Sequence, residues 1–229
     1  MRIAIIPARG GSKRIAKKNI KLFLDLPLIA YAINGAKESK LFEQIIVSTD
    51  DQEIADVALD YGALVPWLRD SDLSDDYATT VSVMSDAVTR ISSSVTGITE
   101  VCCIYPATPL LNPEYFSKGL ETLISGEWDY VISALPVRAH PEKLFSLDAT
   151  KAIKLDNSEA ENWRSQDLRS AFVDAGQFYW GTKQSWQRGL PIFSSRSTIF
   201  ELPMYSTVDI DTLEDWEFAE QLYRIRLGE

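Results

Sequence analysis

The segment Ile3-Ala4-Ile5-Ile6-Pro7-Ala8-Arg9-Gly10-Gly11-Ser12-Lys13-Arg14-Ile15-Ala16-Lys17-Lys18-Asn19 decides how the rest of the chain is read. Its first part, Ile3–Ala8, is continuously apolar, which suits a strand buried on both faces of a parallel sheet. Its second part places Arg9, Lys13, Arg14, Lys17 and Lys18 within ten residues of a chain whose formal net charge is -10. Gly10 and Gly11 let backbone N–H groups approach a ligand closely. The cations supply charge for phosphates. A strand running into such a loop is where an open α/β sheet holds a nucleotide. The plainer alternative is a turn followed by a solvated basic loop; so much local positive charge in an acidic chain favours anion binding. No Gly-Lys-Ser/Thr follows, so this is not a Walker A loop. The Gly-x-Gly-x-x-Gly spacing is missing too, which argues against a dinucleotide and a dehydrogenase.

Downstream, apolar runs and helical stripes alternate. Leu28 to Lys37 reads as a helix with Pro27 at its start. Ile45–Thr49 is a second strand, and Asp50 is the expected cap of a helix carrying Ile54, Val57, Ala58 and Tyr61, which Gly62 stops. Ala63–Pro66 reads as a short strand. Val81, Met84, Val88 and Ile91 form a further stripe, with Thr79 and Thr80 at its start. Val101–Tyr105 is a strand, Glu114 to Ser125 a helix and Tyr130–Leu135 a strand. This β-α-β-α order to about residue 137 predicts an α/β fold with an open, mainly parallel sheet and right-handed crossovers.

The rhythm breaks between about 138 and 170, where Pro136, Pro141 and the polar run Asp156–Glu161 intervene. Short strands at Leu144–Leu147 and Ala152–Leu155 are expected in this excursion. Alternation resumes at Ala171–Trp180. Thr198–Leu202 and Ser206–Ile210 read as further strands, and Leu213, Trp216, Ala219, Leu222 and Tyr223 as a final helix. The 229 residues, 45% hydrophobic, suit one domain.

The excess of acids argues against a nucleic-acid binder or a membrane-surface protein. The N-terminal apolar run is too short for a signal peptide or a membrane span. Cys102 and Cys103 are adjacent, point to opposite faces, and read as buried thiols suited to a reducing cytoplasm. His140 is the only histidine, so histidine-based triads and multi-histidine metal sites have little support.

A second constellation is Val208-Asp209-Ile210-Asp211-Thr212. Two carboxylates at i, i+2 on extended chain face the same way and offer the hard oxygen ligands that Mg²⁺ prefers. A competing reading makes Asp211, with Glu214, the cap of the final helix. Arg69 sits among Asp70, Asp72, Asp75 and Asp76, where simple ion pairing would account for it. Arg164 and Arg169 flank a loop in which both can be solvated.

Five blocks in this order resemble the cytidylyltransferases that activate acidic sugars as CMP-sugars. They are Ala8–Lys13 with Lys18-Asn19; Ile46–Asp50; Arg69 and its acid-rich loop; Pro106-Ala107-Thr108-Pro109-Leu110; and Asp209–Thr212. The resemblance covers nearly the whole chain. Asp174-Ala175-Gly176-Gln177-Phe178-Tyr179-Trp180 is most similar to the pseudaminic acid branch, where sialic acid enzymes carry an Asn-Gly variant. Tyr105 and Leu111 depart from the Gln and Arg of the sialate pattern, and Ala16 replaces a common proline.

The resemblance implies a Rossmann-like nucleotide-sugar transferase fold and a single domain over 1–229. It implies transfer of CMP from CTP to a nine-carbon acidic sugar, with pyrophosphate leaving. It assigns Arg9, Lys13 and Lys18 to the triphosphate, aided by Gly10, Gly11 and Ser12. Ala8, Asn19, Arg69 and Thr80 would hold the cytidine. Asp209 and Asp211 would hold Mg²⁺. Gln177, Tyr179, Arg164 and Arg169 are its candidates for the sugar. It also implies a cytoplasmic homodimer, with the 138–170 excursion exchanging contacts between subunits. The alternatives are the same reaction on sialic acid, legionaminic acid or Kdo, and a non-catalytic nucleotide-binding protein.

Overall fold

The structure is a computed structural model that describes residues 1–137, 140–155, 157, 159, 162–164 and 168–228. Strand β1 (Arg2–Pro7) is followed by a small hairpin, β2 (Leu22–Phe23) and β3 (Leu26–Pro27), and then by α1 (Leu28–Ser39). The next elements are β4 (Gln44–Ser48), α2 (Gln52–Asp60), α3 (Thr80–Ser94) and β5 (Glu100–Ile104). They are followed by α4 (Glu114–Ser125), β6 (Tyr130–Pro136), β7 (Phe145–Leu147) and β8 (Ile153–Leu155). The chain closes with β9 (Phe172–Thr182), α5 (Lys183–Gln187), β10 (Ser197–Glu201) and α6 (Leu213–Leu227).

Among the described residues the main sheet has the order β10-β6-β9-β5-β1-β4. β1 is parallel to both β4 and β5, and β10 is parallel to β6. β9 alone runs antiparallel, between β5 and β6. This is the expected α/β architecture, mixed but mainly parallel.

The apolar run of β1 feeds two cores because successive strand residues point to opposite faces. Ala4 and Ile6 join α1, α2 and α4 on one side; Ile3 and Ile5 join α3 and Trp186 of α5 on the other. A third cluster packs Trp216 and Ala219 of α6 against Ile15, Phe23, Leu28 and Ile210, and so ties the basic loop to the C-terminal helix. Cys102 and Cys103 are both buried and free.

Several local expectations change. Asp51, not Asp50, caps α2, accepting hydrogen bonds from the N–H groups of Glu53 at 2.8 Å and Ile54 at 3.4 Å. Ala63–Pro66 forms no strand of its own and contributes an isolated parallel bridge, Ile46 to Leu64. Ser206–Ile210 is not a strand: it joins no ladder among the described residues, and Ile210 is buried with Trp216 and Ala219 of α6 instead. The final helix is capped one residue later than expected, by a capping box of Thr212 with Asp215, so Asp211 is left out of the cap's side-chain exchange. The excursion carries an antiparallel hairpin of β7 and β8, as the sequence suggests. Asp156 and Glu161, the bounds of the polar run, lie outside the described residues.

Candidate active site

From β1 the chain crosses to β4 on one side; from β5 it crosses to β6 on the other. The crevice between the carboxyl ends of β1 and β5 is therefore a topological switch point, where open α/β sheets bind ligands. A cavity of about 840 Å³ opens there. Its walls are Pro7, the basic loop from Arg9 to Asn19, the segment Arg69–Ala78, Thr80 and Val83 of α3, Tyr105 to Ala107 beyond β5, Asp174 and Gly176 of β9, and Val208 with Asp209 and Asp211.

On the side of the basic loop each cation lies against an acid. Arg9 donates to Asp76 at 2.9 Å and to the Asp75 carbonyl at 3.1 Å, and Lys13 donates to the same Asp76 carboxylate. These cations hold the Asp76 carboxyl below its ordinary range, Lys13 most strongly. Arg14 donates to Asp211 at 2.6 Å. Lys18 donates to the Ile210 carbonyl at 2.7 Å and lies 3.6 Å from Asp211. Lys17 turns away and pairs with Glu53 at 2.6 Å.

The glycines behave differently from the expectation. The Gly10 N–H donates to Asp50 at 3.0 Å, and the Ser12 N–H donates to the Gly10 carbonyl at 2.9 Å. A β-carbon on Gly10 would fall 2.8 Å from that of Asp51, so glycine is required there by the approach of α2. A β-carbon on Gly11 would meet nothing within 4 Å, so this residue stands clear of neighbouring atoms.

Arg69 is buried. Its acid partner is Asp50 at 3.6 Å and not a member of its own acid-rich loop; Ser74 accepts from it at 3.3 Å. Burial lowers the pKa of its guanidinium, against the pull of Asp50. Asn19 is also buried. Its amide donates to the Arg9 carbonyl at 3.0 Å, while its Oδ1 has no partner among the described residues. A buried acceptor without a partner, on a residue that lines the cavity, is an unsatisfied polar group.

A row of hydroxyls runs from Thr80 and Tyr105 on the cavity wall to the buried Tyr179 and back to Asp174. Thr80 Oγ1 lies 3.0 Å from the Tyr105 hydroxyl, which donates to the Tyr179 hydroxyl at 3.3 Å; Tyr179 donates to Asp174. Burial pushes Tyr105 up to about 12, and Tyr179 further still, so both are neutral donors at ordinary pH.

Asp209 and Asp211 both reach the cavity. The Asp209 carboxyl is raised by desolvation first and by the charge of Asp211 second. Among the described residues it has no hydrogen-bond or ion-pair partner. Paired hard oxygens, one of them unpartnered, fit a divalent cation whose remaining ligands are phosphate oxygens and water.

Of the residues expected from the sequence, the cavity brings together Arg9, Ser12, Lys13, Lys18, Asn19, Arg69, Thr80, Asp209 and Asp211. Ala8, Gly10 and Gly11 are not among the lining residues: Ala8 is buried, Gly10 half-buried and Gly11 exposed. Gln177 and Tyr179 are buried and do not line it; Asp174 and Gly176 of the same strand do. Arg164 and Arg169 are exposed on the excursion, with Arg169 paired to Glu142 at 2.6 Å. Leu111 is in the core and only Tyr105 of the two sialate-pattern departures faces the cavity. Arg14, Asp76 and Asp174 were not expected at the wall. Arg14 was legible as a loop cation, but no local signal marks the two acids.

A family model described as cytidylyltransferase matches residues 3–228. The chain belongs to the cytidylyltransferase family. It is a CTP-dependent nucleotidyltransferase. It is 40% identical over 223 residues to a pseudaminic acid cytidylyltransferase of Campylobacter jejuni, covering 97% of this chain and 96% of that protein. It is 32% identical to a CMP-N,N'-diacetyllegionaminic acid synthase of Legionella pneumophila, covering 97% and 96%. Its fold matches a CMP:2-keto-3-deoxy-manno-octonic acid synthetase solved with CTP, at a TM-score of 0.70 and 15% identity, covering 98% and 99% of the two chains. Among the described residues no helix is long and apolar enough to cross a membrane.

Two predictions follow from the electrostatics of this cytidylyltransferase. Asp76 holds the positions on Arg9 and Lys13 that a phosphate would take. Asp76→Asn should tighten inorganic pyrophosphate by about two- to fivefold, the scale of an exposed ion pair; unchanged or weaker binding in calorimetry would refute this. Asp209 titrates above its unfolded value, so its penalty is complete at neutral pH and disappears as pH falls below the unfolded pKa. Without added divalent cation, Asp209→Asn should raise the melting temperature by about 1–3 °C near neutral pH. Little of that gain should remain near pH 4.

Proposed function

We propose that the protein transfers the cytidylyl group of CTP to the anomeric hydroxyl of a nonulosonic acid, and that the sugar is pseudaminic acid. The observation that carries the reaction is a cluster of loop cations gathered beside an aspartate pair in one cavity, with Arg14 donating to Asp211 at 2.6 Å. The choice of sugar is supported by the higher identity to the pseudaminic acid relative, 40% against 32% for the legionaminic acid one. It is also supported by the Asp174–Trp180 motif, two of whose residues line that cavity.

In this reading the sugar's anomeric oxygen forms a bond to the α-phosphorus of CTP. The bond from that phosphorus to the bridging oxygen breaks, and pyrophosphate leaves with the electron pair. Such transfers ask the protein for charge neutralisation and in-line positioning more than for covalent chemistry. Arg9, Lys13 and Lys18, joined by Arg14, exchange their acids for triphosphate oxygens. The unobstructed Gly11 lies beside them, with Gly10 and Ser12 shaping the turn. Arg69, Asn19 and Thr80 hold the cytidine, with Ala8 behind them. Asp209 and Asp211 hold Mg²⁺, which when bound supplies positive charge at the reacting and leaving oxygens. The hydroxyl proton passes to water or to Asp211.

Asp174 and Gly176 offer the sugar wall on this chain, with Gln177 and Tyr179 supporting it from behind. Arg164 and Arg169 are proposed to act across a homodimer. In support, the excursion exposes Leu144, Phe145, Leu147 and Ile153, an apolar set suited to subunit contact.

The test is pyrophosphate release with CTP, Mg²⁺ and separate pseudaminic, legionaminic, sialic and Kdo acceptors. Pseudaminic acid should give the highest kcat/KM. A higher value for another acceptor overturns the choice of sugar, and silence with all four overturns the reaction class. Asp211→Ala should lower turnover at least a hundredfold while circular dichroism stays unchanged; near-normal Mg²⁺-dependent release by this variant sinks the role of Asp211. Light scattering should read twice the 25.7 kDa chain mass, and a monomer at working concentration removes the dimer.

A further inference from the structure

The hydroxyl row on the cavity wall has a direction. Asp174, as a carboxylate, only accepts. Its Oδ1 takes the Gly176 N–H at 2.9 Å and its Oδ2 takes the Tyr179 hydroxyl proton. Tyr179 has then spent its one proton and can only accept from Tyr105, at 3.3 Å. Tyr105 has in turn spent its own, so the 3.0 Å contact with Thr80 is made by the Thr80 proton. No other arrangement places a proton in each of the three gaps. Thr80 is thereby left with lone pairs alone to offer the cavity.

The geometry points to this row as the device that selects the nucleotide base. Thr80 is a fixed acceptor, and Arg69, on the same cavity's wall, is only a donor. An acceptor and a donor lining the same cavity can together complement cytosine, whose 4-amino group donates and whose N3 and O2 accept. Uracil presents a 4-oxo acceptor to Thr80 and an N3–H donor to Arg69, so both contacts become repulsive. A site with fixed polarity rejects the wrong partner more strongly than an adaptable hydroxyl, because buried polar groups are left unpaired. Asp174, Tyr179 and Tyr105 are positioning residues here: they act through Thr80 by removing its freedom to rotate. The rings of Tyr105 and Tyr179 meet edge-on at 5.3 Å between centroids, which holds the hydroxyls in line. The inference rests on the proposed placement of the cytidine beside Arg69 and Thr80, and it needs no statement about the sugar.

The experiment measures Kd for CTP and for UTP by calorimetry, with Mg²⁺ and no sugar. The wild type, Thr80→Val, Thr80→Ser, Tyr105→Phe and Tyr179→Phe are compared. The wild type should prefer CTP. Tyr105→Phe frees the Thr80 hydroxyl to turn and donate to uracil, so the CTP-to-UTP preference should fall about tenfold, mainly through tighter UTP. Tyr179→Phe should fall in the same direction by less. Thr80→Val should lose the preference by weaker CTP, and Thr80→Ser should keep it. A general loosening would instead weaken both nucleotides together. The proposal is overturned if the wild type binds both alike. It is equally overturned if Thr80→Val and Tyr105→Phe stay within twofold of the wild-type ratio. Should one tyrosine variant fail to fold, the other decides, because Thr80→Val reports only the base contact and not the row behind it. A protein that passes this test yet turns over no nonulosonic acid loses the proposed function and keeps this inference.

Discussion

Five cations within ten residues repel one another, and the architecture around them is built on countering that repulsion. Arg9 and Lys13 share Asp76, Arg14 and Lys18 lean on Asp211, and Lys17 takes Glu53. These acids come from three segments: the loop before α3, the approach to α6 and the first turn of α2. The basic loop sits where those segments converge, beyond the carboxyl end of β1, with Ile15 packed against Trp216 and Ile210. Exposed ion pairs add little stability individually. In the proposed function their importance is that they are exchangeable: a triphosphate would offer the same cations a denser negative charge.

The aspartate pair shows the complementary principle. A capping box one residue further on, Thr212 with Asp215, satisfies the start of α6 without enlisting the Asp211 side chain. Asp209 is left partly desolvated and, among the described residues, without a hydrogen-bond or ion-pair partner, a local cost that a cation would relieve. The hydroxyl row commits Thr80 to one polarity. The cavity thus combines loop cations, a carboxylate pair and a directional row of hydroxyls.

The large elements were legible because their signals are local. The continuous apolar run of β1 and the stripes of α1, α3 and α4 each state which face is buried. The hairpin β2–β3 and the five-residue α5 were not, being too short to show a period. Ser206–Ile210 misled for a different reason. It has strand-like composition, but a strand needs a free edge to pair with, and this segment instead drives Ile210 under Trp216. The caps were misplaced by one residue at both 50/51 and 211/212, where neighbouring side chains of similar capping chemistry compete. Which one caps depends on what else its neighbour bonds: Asp50 is taken by the Gly10 N–H and Arg69, from 40 and 19 residues away.

The sequence by itself determined the alternation of strands and helices, the cationic loop after the first strand and the carboxylate pair near the end. Each depends on residue types at short spacing, and short-range chemistry is written directly in the order of residues. Tertiary structure alone decided that Asp76 neutralises Arg9 and Lys13, that Gly10 is a packing glycine, and that Asp174 and Thr80 stand at the two ends of one proton-ordered row. Those relations join residues tens of positions apart, and no local pattern encodes them. They exist because the opposite crossovers from β1 and β5 leave a single crevice into which distant loops must fold.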